Sequence, residues 1–182
     1  MENRSSEAKE TQEISFKLEQ YDDIFSDFDM RPYSKRALSV DFLDEIKRAA
    51  NDKTPDGLEL NLHLPEKDRN LSHEATIKDR LAEHFKKHYH LLLKEKHGVL
   101  RLGWSMVALG IIAMVVATFV VFQDPSQNLM LSFLVVFLEP AAWFLLWEGM
   151  DQIIFNSKKI NTELYFYRKM FNSHRRINFG SY

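Results

Sequence analysis

The 182-residue sequence predicts a mainly α membrane protein: a hairpin of two transmembrane helices, prolonged by helices outside the bilayer, with a small N-terminal α/β domain. Three observations predict it. Apolar residues make up 45% of the chain and are concentrated between Leu102 and Trp147. Two stretches there, Leu102–Phe122 without a charge and Leu129–Trp147 with Glu139 alone, match the roughly 20 residues that span a hydrocarbon core about 30 Å thick. Ahead of them, two short stretches alternate apolar and polar side chains around one amphipathic segment, the signature of half-buried strands beside a helix.

Residues 1–12 are polar and nearly free of large apolar side chains, as in a disordered tail. The α/β domain occupies 13–71. In ISFKLE, Ile14, Phe16 and Leu18 alternate with polar residues, and LELNLHLP repeats the pattern at Leu58, Leu60, Leu62 and Leu64. Between these strands Ser39 is placed to cap a helix with Asp41 in its first turn and Phe42, Ile46 and Ala49 on one face. TPDG, Thr54–Gly57, reads as a turn. Tyr21–Ser34 carries Phe25, Phe28 and Tyr33 without a period that assigns it. So thin a layer exposes its sheet edges unless it leans on its own helices or on a neighbouring subunit.

Ser72 is a candidate N-cap, and no proline follows before Phe122, so a helix over 72–101 runs unbroken into the first span, 102–122. Leu81, Phe85, His88, Leu92, Glu95, Val99 and Leu102 alternate spacings of four and three along it. The turn 123–128, QDPSQN, leaves room only for an antiparallel return through the second span, 129–149. Over 150–173 the same rhythm recurs in Met150, Ile153, Ser157, Ile160, Leu164, Tyr167 and Phe171, a coiled-coil-like seam. The end, RRINFGSY, reads as a strand or a tail and is assigned as a tail over 174–182.

Charge sets the expected orientation. Lys94, Lys96 and Arg101 precede the first span and Lys158, Lys159, Arg168 and Lys169 follow the second, while the turn has neither Lys nor Arg. The positive-inside rule then places both termini of an integral, multi-pass protein in the cytoplasm. MENRSSEAKE is too polar for a cleaved signal peptide. The absence of cysteine removes disulfides and thiolate metal sites. A net charge of −2 without a basic stripe argues against a nucleic-acid partner. No nucleophile elbow, phosphate-cradling glycine loop or catalytic carboxylate pair appears, and no enzyme is expected.

The central motif is Glu139-Pro140 inside LVVFLEPAAWFLLWE. A dozen apolar residues at about −0.3 to −0.6 kcal/mol each outweigh roughly +2.5 to +3.5 for one central charge, so the segment still inserts. The acid then needs water or a partner. Pro140 has no N–H, which leaves the Val136 carbonyl without its helical partner, close to Glu139 on the same face. Repeated around a symmetry axis, the two oxygens form a ring suited to a hard cation. The plain alternative is a protonated Glu139 bonded across a helix interface, with Pro140 only kinking the span.

Glu139-Pro140-Ala141-Ala142-Trp143-Phe144 resembles the pore motif of the mitochondrial calcium uniporter family, in which Glu-Pro is followed at the same spacing by an aromatic pair. Two spans, a very short turn, termini on one side and helices prolonged into coiled coils are similar too. The resemblance implies that a ring of Glu139 binds a cation, that Pro140 packs beneath it and that Trp143 supports the carboxylates. Val135 and Val136 stand where that family has Trp-Asp, so its outer acidic ring is missing here.

Other candidates carry a packing reading beside a functional one. His84 and His88 have the spacing at which two imidazoles grip one metal, with only Glu95 as a third ligand, and a structural or solvated role is preferred. Gly103, Gly110, Ala113 and Ala117 form a strip of small side chains for close helix packing. Trp143 and Trp147 suit an interfacial belt, although Trp143 lies deep for one. Glu148 and Asp151 form either a second acidic ring or ordinary headgroup-level charges.

The expected protein is thus a homo-oligomer in a lipid bilayer whose second spans line a cation-conducting pore at Glu139, with no cofactor beyond a cation bound there. The alternative is a non-conducting membrane scaffold, anchored and assembled by its spans, whose soluble domain binds a partner.

Overall fold

A computed structural model describes residues 12–51, 58–123, 128–173 and 176–182. The expected tail up to residue 11, the TPDG turn and residues 124–127 of the turn between the spans lie outside the described residues. The chain forms two compact units, Met1–His90 with Leu164–Tyr182, and Leu91–Glu163.

The first unit is built on a parallel sheet of β1 (Gln12–Lys17), β2 (Leu58–Leu64) and β3 (Ile177–Ser181), in the order β1-β2-β3. Alternation in β2 does what its pattern predicts: Leu58, Leu60, Leu62 and Leu64 are all buried while Glu59, Asn61 and His63 are not. β1 and β2 are joined through α1 (Val40–Asn51), whose Phe42 N–H lies 3.5 Å from Ser39 Oγ. Phe42, Ile46 and Ala50 are buried on it, with Ala49 half-buried at the edge of that face.

Residues 177–181 are a strand, not the expected tail. Ile177 packs into the core as the register partner of Leu60, and Phe179 partners Leu62. The α/β layer is therefore discontinuous in sequence, closed by the far end of the chain rather than complete at residue 71. Helix α2 (Leu71–Gln123) runs unbroken, as the absence of proline predicts. Its cap is Asn70, not Ser72: Asn70 Oδ1 accepts the Ser72 N–H at 3.0 Å and the His73 N–H at 3.3 Å, meeting two of the free donors of the first turn. Ile77, Leu81 and Phe85 from α2, with Phe166 and Met170 from α4 (Ser157–Asn172), cover the leucine face of the sheet.

The unassigned stretch from Tyr21 forms a short 3-10 turn, Tyr21–Ile24, after which Phe25 bridges Leu38. Asp29 ties the following loop, accepting from Arg31 at 2.7 Å and from the Ala37 N–H at 2.7 Å. The buried acid Glu74 receives the Arg69 Nε–H at 2.8 Å and the Tyr21 hydroxyl at 3.1 Å, while Arg69 also donates to the Phe179 carbonyl. A carboxylate so paired satisfies the condition for burying a charge.

In the second unit, α2 packs antiparallel to α3 (Leu129–Asp151), which Asn128 caps by accepting the Met130 N–H. Gly103 lies against Gly149 and Ile153, and Gly110 against Ala142 and Leu146. Gly103, Gly110 and Ala117 are buried, and Ala113 beside them is half-buried. α2 and the helix from Leu129 to Asn172 are each long and apolar enough to cross a membrane, and most of their apolar surface is uncovered in the single chain. The expected seams fray: Glu95 and Leu102 are exposed on α2 and Met150 on α3. Between α3 and α4 the helix loosens to a π turn, Gln152–Asn156. Such a turn inserts an extra residue and breaks a strict heptad phase.

Candidate functional site

Helix α3 continues through Pro140, whose missing N–H leaves the Val136 carbonyl without an intrahelical donor. Ala142 and Gly149 turn one side of α3 to α2. Glu139 and Pro140 are exposed, with Val136 and Trp143 beside them at 69% and 63% exposure. Glu139 makes no hydrogen bond or ion pair with any described residue. It is therefore not shut between α2 and α3 of one hairpin.

Trp143 and Trp147 stack one turn apart on this outer side, ring centroids 5.8 Å apart and planes within 3°. Below them Asp151 joins Trp147, Met150, Ile154 and Phe155 in a depression of about 160 Å³. Glu148 points elsewhere: nine residues beyond Glu139 is about half a turn around the helix. It accepts the Gln152 amide at 2.9 Å, and Gln152 in turn accepts that of Asn156 at 2.9 Å, a polar ladder along the start of the π turn. The two acids of the expected second ring thus occupy different surroundings, and Glu148 does not share the direction of Glu139.

His84 and His88 are brought together, but as a stack, with centroids 4.0 Å apart and His88 in turn stacked on Tyr167 at 5.2 Å. His88 Nδ1 donates to the His84 carbonyl at 2.9 Å, and His84 Nε2 is buried without a hydrogen-bond partner. Burial, helped by the charges of His88, Arg80 and Lys87, pulls His84 down to about 4. Stacked rings do not converge their nitrogens on one ion, Glu95 is exposed further along α2, and no group of three metal-ligating side chains occurs among the described residues. The pair is an aromatic joint between α2 and α4.

Two features lay outside the sequence reading. The partners of the small-residue strip, Ala142 and Gly149, stand seven apart on the second span, and that spacing was the available signal. A polar cavity of about 430 Å³ is lined by Asp22, Arg31, Tyr33, Arg36, His73 and Thr76. Its cations are already matched, Arg36 by Asp22 at 2.6 Å and Arg31 by Asp29, whose carboxyl is held well below the usual range by that guanidinium. No local pattern in Tyr21–Ser34 announces it.

Comparison of the chain with protein-family models, with curated proteins and with solved structures finds no match.

Proposed function

We propose that this chain is an integral membrane protein whose two apolar helices span the bilayer and whose second spans assemble around a central axis to conduct cations past Glu139. One observation carries the proposal. A carboxyl group on an otherwise apolar outer surface, unbonded to any described residue, is too costly to leave against lipid as an anion. Water or another copy must meet it. A two-helix hairpin cannot enclose a pore, so conduction requires several copies related by rotation. The Val136 carbonyl freed by Pro140 then adds a second oxygen beside each carboxylate. The Lys and Arg that flank the spans support an orientation with both termini in the cytoplasm.

The competing reading, a scaffold in which a protonated Glu139 bonds between copies, makes the opposite prediction for Glu139→Gln. Glutamine keeps a neutral hydrogen-bonding group and removes the charge. In proteoliposomes, lost cation flux with unchanged oligomer mass supports the channel. Unchanged flux with weakened assembly, or a strict monomer in mild detergent, overturns it.

A further inference from the structure

The three helices of the first unit all pack on one face of the sheet, through Leu58, Leu60, Leu62, Leu64, Ile14 and Ile177. Among the described residues, nothing packs on its other face. Parallel sheets are ordinarily covered on both faces, so among the described residues this face lacks a layer. Strand alternation and register define what it displays. Glu13 and Glu59 form one row, with Arg176 at its margin just ahead of β3. Ser15, Asn61 and Asn178 form a neutral middle row, in which the Asn178 amide donates to Asn61 Oδ1 at 3.3 Å. Lys17, His63 and Gly180 form the third row. There the His63 ring lies over Gly180, where a Cβ would fall 2.6 Å from Nδ1, and Tyr182 closes the end with its ring 4.1 Å from Lys17 Nζ.

We infer that this open face docks on the same face of a second copy of the chain, about a two-fold axis that crosses the strands over Asn61. The charges select both the occupant and the axis. A two-fold across the strands lays β1 on β1, β2 on β2 and β3 on β3 in opposite directions. Lys17 then meets Glu13 of the other copy, His63 meets Glu59, and the amides of Asn61 and Asn178 meet their own equivalents. A two-fold along the strands instead sets Glu59 on Glu59 and His63 on His63, matching only Glu13 with Arg176 and leaving Lys17 over Gly180 without a counter-charge. Each copy supplies both halves of every contact, as an isologous pair requires. The face spans roughly 15 Å by 17 Å, from strand spacings of about 4.8 Å and a rise of about 3.3 Å per residue. That is well below a standard interface, so the charges fix register and the affinity is modest. Copies sharing a bilayer meet at raised effective concentration.

The chain has no cysteine, so one introduced thiol reports the contact cleanly. Asn61→Cys in the full-length protein, reconstituted in vesicles, is treated with a bis-maleimide that spans about 10 Å, the distance between stacked sheets. We expect a covalent dimer. Adding Lys17→Glu, or Glu13→Lys, lowers its yield about tenfold or more by setting like charges opposite each other twice. Mixing those two variants restores it: at one end of the mixed dimer the introduced acid faces the introduced lysine, and at the other the native Glu13 faces the native Lys17. Three results overturn the inference: no dimer from a folded Asn61→Cys chain, a yield indifferent to the charge variants, or equal yield from Asp44→Cys on the exposed side of α1.

Discussion

Gly103 and Gly149 meet back to back across the hairpin: a Cβ on Gly149 would lie 2.8 Å from the Gly103 carbonyl oxygen, and one on Gly103 2.9 Å from that of Gly149. Because the opposing atoms belong to backbone, neither helix can yield locally. Gly149→Ala is therefore expected to cost about 1–3 kcal/mol by forcing the helices apart. At roughly 2–4 °C per kcal/mol for a chain of this size, that lowers the melting temperature in mild detergent measurably. Gly98→Ala is the matched control, since a Cβ there meets nothing within 4 Å and alanine favours the helix by up to about 1 kcal/mol. Circular-dichroism melts of the two variants should move in opposite directions.

His84 gives the first unit a dependence on mild acid. Burial holds its folded value at about 4, below the ordinary 6.5, so between these values the unfolded chain binds a proton that the folded chain refuses. The folded state keeps its full advantage above about pH 6.5 and loses it progressively as the pH falls toward 4. His84→Phe removes both this loss and the unpartnered Nε2, and its denaturant midpoint should change less than that of the parent between about pH 7 and about pH 5. Proton NMR of the imidazoles should find His84 neutral at about pH 5.

The contrast between what was legible and what was not follows from the range of the interactions. The alternation of Leu58 through Leu64, the length of the two apolar runs and the glycine-alanine strip on α2 are local periodicities, and each element formed where its period placed it. β3 was not legible because Ile177 and Phe179 alone give a weak alternation, and what makes the segment a strand is a free edge of β2 far away in sequence. Asn70 and Ser72 are both good caps, and only geometry chooses between them. In α4 the predicted seam is half right. Tyr167 and Phe171 do face α2, stacking on His88 and Tyr89, but the apolar side chains that join the core are Phe166 and Met170, because the sheet, which no heptad encodes, draws the neighbouring face inward. For Glu139 the sequence supplied the residue and its apolar setting, and the single chain adds only the direction it faces.

Glu74 gives the same unit a second, lower acid transition. The Arg69 guanidinium, helped by the Tyr21 hydroxyl and opposed by burial, holds its carboxyl below the ordinary 4.5. The contribution is complete above about pH 4.5 and is lost as the pH drops through the lowered folded value. Glu74 is only 4% exposed, and Glu74→Gln should cost about 1–3 kcal/mol at neutral pH by leaving Arg69 without its counter-charge. The variant's denaturant midpoint should then be flatter than the parent's below about pH 4.5. A difference between the two that stays constant down to about pH 3 would assign Glu74 a packing role alone.

Pro140 separates two ways in which the second span can use its imino acid. If proline only bends the helix, Pro140→Ala returns an N–H to the Val136 carbonyl and does nothing else, raising stability by up to about 3 kcal/mol with flux unchanged. If the free carbonyl stands beside Glu139 as part of a cation-binding ring, the same substitution withdraws one oxygen per copy while every carboxylate remains. The channel reading therefore expects Pro140→Ala to melt higher than the parent yet conduct several-fold less, with Glu139→Gln abolishing flux altogether. Melting in detergent and cation flux in proteoliposomes, measured on the same preparations, read the two quantities independently. A stabilised variant with undiminished flux would remove the carbonyl from the pathway and leave Glu139 to act alone.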